Sequence, residues 1–268
     1  MQWYPGHMKK AEKDIKNNLK LVDKVIYVLD ARIPDASRNY KLEKIFLEQN
    51  IVIVLNKRDL ANEKTTKHWV DKLSKNHPTV AINALKKKGI KSLLSKIKAS
   101  SSNKKQRSRL MIVGMPNVGK SQLINALLNK GAVKTGNNPG ITRGKQWIKI
   151  DNNFDLLDLP GVLLPKINDK LRETKLASCG IIKSSVFDSE VVAYKLLKLI
   201  INQAAEKIKD RFKLNCIDYD IYDLIAEMAK KRGCIMSGGK IDRERISNII
   251  IKEFQQGYFG ALSLEKPE

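Results

Sequence analysis

Eight residues constrain the fold of this chain more than any others. Gly114-Met-Pro-Asn-Val-Gly-Lys-Ser121 fits G-x-x-x-x-G-K-[ST], follows the apolar run Leu110-Met-Ile-Val113 and opens the helical pattern Lys120 to Leu128. A strand that turns through glycines into a helix brings backbone N–H groups and the positive helix end against a bound anion. In such a loop Asn117, Val118, Gly119 and Gln122 line or support a phosphate cradle. Lys120 reaches the β- and γ-phosphates of a nucleoside triphosphate, and Ser121 offers an oxygen to Mg²⁺.

A second short pattern names the base. Asn56-Lys57-Arg58-Asp59 follows the apolar strand Ile51-Val-Ile-Val-Leu55. The Asp59 carboxylate can accept from the ring N–H and the exocyclic amine of guanine, a donor pair that adenine does not present. Asn56 can bond the base edge or the phosphate loop, and Lys57 can lay its methylenes over the purine face. On local grounds alone, a strand-to-helix turn with Asp59 as a cap is the better explanation of the tetrapeptide. Beside a phosphate loop the base-reading role is expected. Asn83-Ala84, after the strand near Ile82, is placed where a backbone N–H would meet the guanine carbonyl, with a plain turn as the alternative.

Two further elements complete a triphosphate site. Asp158-Leu-Pro-Gly161 closes the strand Phe154 to Leu157, so that Asp158 would hold Mg²⁺ through water and the Gly161 N–H would touch the γ-phosphate. Thr142, in Pro139-Gly-Ile-Thr-Arg143, is the expected switch threonine on Mg²⁺.

Strand and helix patterns alternate up to about residue 174. Apolar runs at Val25 to Leu29, Ile51 to Leu55, about Val80 to Ile82, Leu110 to Val113, Gln146 to Ile150 and Phe154 to Leu157 are separated by helical stretches. Such runs argue for an α/β fold with a doubly wound, mostly parallel sheet covered on both faces. Ser100 to Ser108 is polar and aperiodic, a flexible join between two halves of that sheet. An amphipathic basic helix from His7 to Val22 precedes the sheet. Helical patterns at Val191 to Gln203, Tyr219 to Arg232 and Arg243 to Gln256 follow it, which predicts an α/β domain over 1–174 and a small all-α domain over 175–268.

Charge points to a polyanion. Lys and Arg number 51 against 28 Asp and Glu, a net charge of +23. From Lys72 to Ile150 there are 18 basic residues and no acidic one. Genomic base bias explains a lysine excess but not the local loss of acids, so a nucleic-acid-facing surface is expected. Residues 1–165 hold 32 basic and 13 acidic side chains and the remainder 19 and 15, which puts the excess on the α/β half. The three cysteines and three histidines have no metal-ligand spacing. No secretory signal or long apolar stretch is read, and the expectation is a soluble, cytoplasmic, monomeric protein without a membrane partner.

Element order is the most specific feature. The base-reading loop precedes the phosphate loop, the reverse of the usual GTPase order, so the domain reads as circularly permuted, a change that close, exposed termini tolerate. This order, the opening Trp3-Tyr-Pro-Gly-His-Met8 and the tail Arg232-Gly-Cys with Ser237-Gly-Gly-Lys-Ile-Asp242 resemble the ribosome-biogenesis GTPases of the YlqF/RbgA family over essentially the whole chain. The resemblance implies GTP and GDP as ligands. It further implies the precursor of the large ribosomal subunit and its ribosomal RNA as partners, a late step of maturation as the setting, hydrolysis stimulated by the particle, and a C-terminal domain that contacts RNA. Val162 stands where many GTPases carry a water-orienting glutamine, and the family suggests His7 in its place. The same likeness implies K⁺ beside Asn117. A basic residue is expected near position 255, where this chain has Gln255. The rival reading is a nucleotide-responsive RNA-binding scaffold with negligible catalysis.

Overall fold

The computed structural model describes residues 13, 15–46, 49–99, 107–128, 146–150, 153–158, 169–218 and 220–267. Six strands form one sheet: β1 (Lys24–Asp30), β2 (Asn50–Asn56), β3 (Thr79–Ala81), β4 (Ser108–Gly114), β5 (Gln146–Lys149) and β6 (Phe154–Asp158). Their order is β3-β2-β1-β4-β6-β5, and every neighbouring pair is parallel except β5 with β6. Both halves of the chain therefore contribute to a single sheet, joined where β1 lies beside β4.

The central strands are apolar because both faces are covered. On β1, Val25, Tyr27 and Leu29 enter a cluster with Ile15, Leu19, Val22, Phe46 and Trp69. Ile26 and Val28 alternate to the other face, against Ile90, Leu93, Leu123 and Leu127. Residues 15–19 are helical, and α1 (Tyr40–Phe46), α2 (Glu63–Ser74), α3 (Ile90–Ala99) and α4 (Lys120–Leu128) complete this half. Lys24, buried at the start of β1, donates to Ile97 O in the last turn of α3.

The C-terminal part is all helical among its described residues apart from an isolated bridge between Ile235 and Ile241. It comprises α5 (Lys170–Ser178), α6 (Ser189–Phe212), α7 (Ile221–Lys231) and α8 (Arg243–Gln255), with two short 3₁₀ turns. Aspartates start all four: Asp169, Asp188, Asp220 and Asp242 each accept from a backbone N–H in the first turn. Glu253 on α8 accepts from both Arg211 on α6 and Arg232 after α7, an ion triad that ties three helices together.

Two helical features differ from those read in the sequence. The helix expected to end at Gln203 breaks there, at Ala204 with φ −133°, and resumes to Phe212, because Ala204, Ile208 and Phe212 continue its buried stripe past the polar Asn202-Gln203. Helix α5 was not expected, and it spans the 174/175 division. The C-terminal tail also returns to the sheet half: Leu262 N donates to Leu60 O, Leu264 N to Arg32 O, and Glu265 accepts from Asp35 N, Ala36 N and Lys175.

Candidate nucleotide site

Loops at the carboxyl ends of β2, β3 and β4 meet in one cleft of about 580 Å³. Such a crevice beyond the strand ends is where open α/β sheets bind ligands. Asn56, Lys57 and Asp59 enter from the loop after β2, and Asn83 from the turn after β3. Asn117, Gly119, Lys120, Ser121 and Gln122 enter from the loop after β4 and the first turn of α4. Leu60, Leu85, Pro116 and Ile124 supply apolar wall that sequence reading had not singled out.

Asn56 joins the two loops. Its side chain is buried, with Nδ2 donating to Val118 O at 2.9 Å and Oδ1 accepting from Ala84 N at 3.0 Å. One amide thus ties β2, β3 and the phosphate loop together. Ala84 N was the donor expected for a base carbonyl, and here it is engaged within the fold. Asn83 N is engaged likewise, donating to Lys88 O. These two N–H groups shape the reader instead of facing the cleft, because Asn56 needs a donor for its buried oxygen and the 83–88 turn closes on itself. Asn83 Nδ2 is buried without a hydrogen-bond partner in the described structure. Val118 is fully buried, and Arg58 lies along a separate groove between α2 and α3, so neither lines the cleft.

Asp59 keeps its carboxylate available. Its side chain is 35% exposed, and the ion pair recorded for it is a long one, 3.9 Å to Lys86. Lys57 sits in the left-handed region, φ 61°, and its ammonium lies 2.8 Å from Asp30. Asp30 ends β1, the strand between the two loops, and also takes a two-point contact from Arg32 at 3.0 and 2.8 Å. Burial alone would push the Asp30 pKa up, but Arg32 and Lys57 hold it well below the usual carboxylate range. Arg32 reaches on to Cys179 O at the end of α5, where burial pushes the Cys179 thiol up to about 12. Sequence reading missed Asp30 and Arg32. Their signal was two opposite charges, two residues apart, closing an otherwise apolar strand.

The phosphate loop has the expected backbone. Gly119 has φ 101°, and a Cβ there would stand 2.1 Å from Asn56 Nδ2. Asn117, φ 58°, donates its amide to Gly180 O at 2.8 Å, linking the loop to the helical part. Gln255 packs against the same Gly180 and donates to Ala177 O. Lys120 Nζ donates to Gly114 O and Met115 O, and burial lowers its pKa to about 8.

Asp158 ends β6, and β6 runs parallel to β4, which carries the phosphate loop. His7, Thr142 and Gly161 lie outside the described residues. Among the described residues no group of three or more His, Cys, Asp or Glu could hold a metal ion, and no helix is long and apolar enough to cross a membrane.

Known proteins agree with this geometry. Residues 8–168 match the family described as RsgA GTPase, and residues 109–235 the family described as 50S ribosome-binding GTPase. Ribosome biogenesis GTPase A of Bacillus cereus is 39% identical, covering 100% of this chain and 94% of its own length. The GNP-bound crystal structure of YlqF from T. maritima superposes with a TM-score of 0.76 at 30% identity, over 97% of this chain and 99% of that one. A GDP-bound YlqF structure gives 0.75 at 29%, over 95% and 99%. A permuted sheet whose two loops share one cleft, and a likeness that runs the length of both chains, lead to one conclusion: the chain belongs to the ribosome biogenesis GTPase A family and is a GTP-hydrolysing enzyme that binds GTP and GDP.

Proposed function

We propose that this GTPase binds the precursor of the large ribosomal subunit through its ribosomal RNA, acts late in its maturation, and leaves after hydrolysis. The observation that carries the nucleotide half of this reading is the Asn56 bridge, which ties the base-reading and phosphate-binding loops together on one cleft. The net charge of +23 supports the RNA half. So do the names of the relatives.

Each residue then has a task. Asp59 reads the guanine edge, Lys57 covers the purine face with Asp30 holding its ammonium, and Asn56 and Ala84 keep the two loops in register. The first turn of α4 and the backbone from Asn117 to Ser121 face the phosphates. Mg²⁺ fits the donors present, because Ser121 lines the cleft and Asp158 closes the strand next to the phosphate-loop strand in the sheet order. Ser121, Thr142 and Asp158 would hold it, and bound there it neutralises charge between the β- and γ-phosphates. Gly161 N–H would touch the γ-phosphate, K⁺ would sit beside Asn117, and His7 would orient the attacking water. Residues from α5 onward form the proposed RNA-facing helical domain of a cytoplasmic monomer.

Multiple-turnover GTP hydrolysis tests the whole reading. Purified large-subunit precursors are expected to raise the rate, and the stimulation to decline steeply as salt rises. Equal rates with and without the particle would favour the RNA-binding scaffold. His7→Ala should keep GTP affinity and particle binding but lose the stimulated rate. Unchanged stimulation in that variant removes His7 from the mechanism.

Lys120 makes nucleotide binding pH-dependent. Burial holds its pKa at about 8, and phosphate oxygens favour the charged form and raise it. GTP binding should therefore take up a fraction of a proton above pH 8, and affinity should be greatest well below pH 8 and decline as pH rises through it. Calorimetry in buffers of differing ionisation enthalpy measures the uptake, and zero uptake at pH 8.5 would show that Lys120 is already charged in the free loop.

A further inference from the structure

Among the described residues β5 is an edge strand, and it carries an aromatic that neither the core nor the cleft uses. Trp147 on β5 is 41% exposed, and the Arg109 guanidinium lies 5.4 Å from its ring centroid. Strand register places Lys149 and Arg109 opposite Asp155, and Trp147 two residues from Lys149, so the four share one face. Arg107 lies 3.6 Å from Asp155. Asp23 accepts the Arg109 backbone N–H at 2.7 Å. Arg107, Arg109 and Lys149 are exposed, and all belong to the acid-free stretch from Lys72 to Ile150.

An exposed indole among cations adds little to packing, but it has the two properties that unpaired nucleic acid requires. Its π-face stacks on a base of any sequence, with a guanidinium plane extending the stack, and the flanking cations meet the phosphates on either side. A protein strand adding to β5 is disfavoured because Lys149 charges that edge. We propose that Trp147 and Arg109 form a stacking platform for an unpaired nucleobase of RNA, with Arg107 and Lys149 taking the adjoining phosphates. Naming RNA as the partner rests on the ribosomal role proposed above.

The full chain should be titrated with a short single-stranded RNA and with a blunt duplex of the same length, across a salt series. Trp147→Ala should weaken single-strand binding about five- to a hundredfold at every salt concentration and leave duplex binding and GTP affinity unchanged. Lys149→Gln should lower the salt slope by roughly 0.7. In a Trp3→Phe background, Trp147→Phe should restore most of the affinity while abolishing the RNA-induced quenching of tryptophan emission, since the remaining Trp69 is buried. Parental affinity in Trp147→Ala, or equal losses on single strand and duplex, overturns the platform while leaving the RNA reading intact. Parental RNA affinity together with weaker capture of ribosomal proteins assigns the edge to a protein and overturns it too. Failure of the parent to bind either RNA sinks both proposals.

Discussion

Asp59→Asn should weaken GTP binding by about 30- to 5000-fold while leaving the fold intact. The range follows from about 2–5 kcal/mol for truncating one member of a desolvated, charged hydrogen-bond pair. The carboxylate accepts two guanine N–H groups at once. An amide at the same place offers one acceptor and a donor that faces a donor, so the loss exceeds that of a single neutral bond. The same amide suits a purine with a carbonyl in place of the exocyclic amine, and preference should shift toward xanthosine triphosphate. Stability should change by less than about 0.5 kcal/mol, because the side chain is 35% exposed and its recorded ion pair with Lys86 is long and in solvent. Competition binding with guanosine, xanthosine and adenosine triphosphates, alongside denaturant unfolding, separates the two effects. Unchanged guanine preference in a folded variant would mean that the base is read elsewhere.

Where one local interaction accounts for a feature, that feature was readable in the chain. The central strands were legible because burial on both faces leaves an uninterrupted apolar run, as in Ile51 to Leu55. Gly114 to Ser121 was legible because a phosphate cradle needs its glycines at fixed places. The Asn56 bridge was only half legible: its chemistry was named, but that it occupies Ala84 N depends on β3 lying beside β2, a contact between distant segments. Asp30 and Arg32 were invisible for a related reason. A charged pair at a strand end reads as the start of a solvated loop until β1 is known to lie between β2 and β4, where the loop is covered by α5 and α8. Helix α6 resumes after its kink at Ala204, next to the end read for it in the sequence, because its inner face stays buried past two polar residues that lie at its outer side.

That dependence on distant contacts makes Gly119→Ala the most disruptive single methyl group in the cleft. At φ 101° an L-residue is strained by about 1–2 kcal/mol, and the new Cβ would stand 2.1 Å from Asn56 Nδ2. Asn56 is 3% exposed and cannot swing into water, so relief comes from breaking its bond to Val118 O, which leaves a buried donor unpaired at about 1–3 kcal/mol more. Unfolding in denaturant should show a loss of about 2–5 kcal/mol, and GTP affinity should fall by more than about a hundredfold as the phosphate loop leaves register with the base reader. Adding Asn56→Ala removes the side chain that the methyl strikes. The double variant should then lose about 1–3 kcal/mol less than the sum of the two single losses, yet bind GTP no better, since nothing now ties the loops. Strict additivity in stability would show that Gly119 is required by its own backbone angle alone, and the Asn56 bridge would lose its standing as the joint of the site.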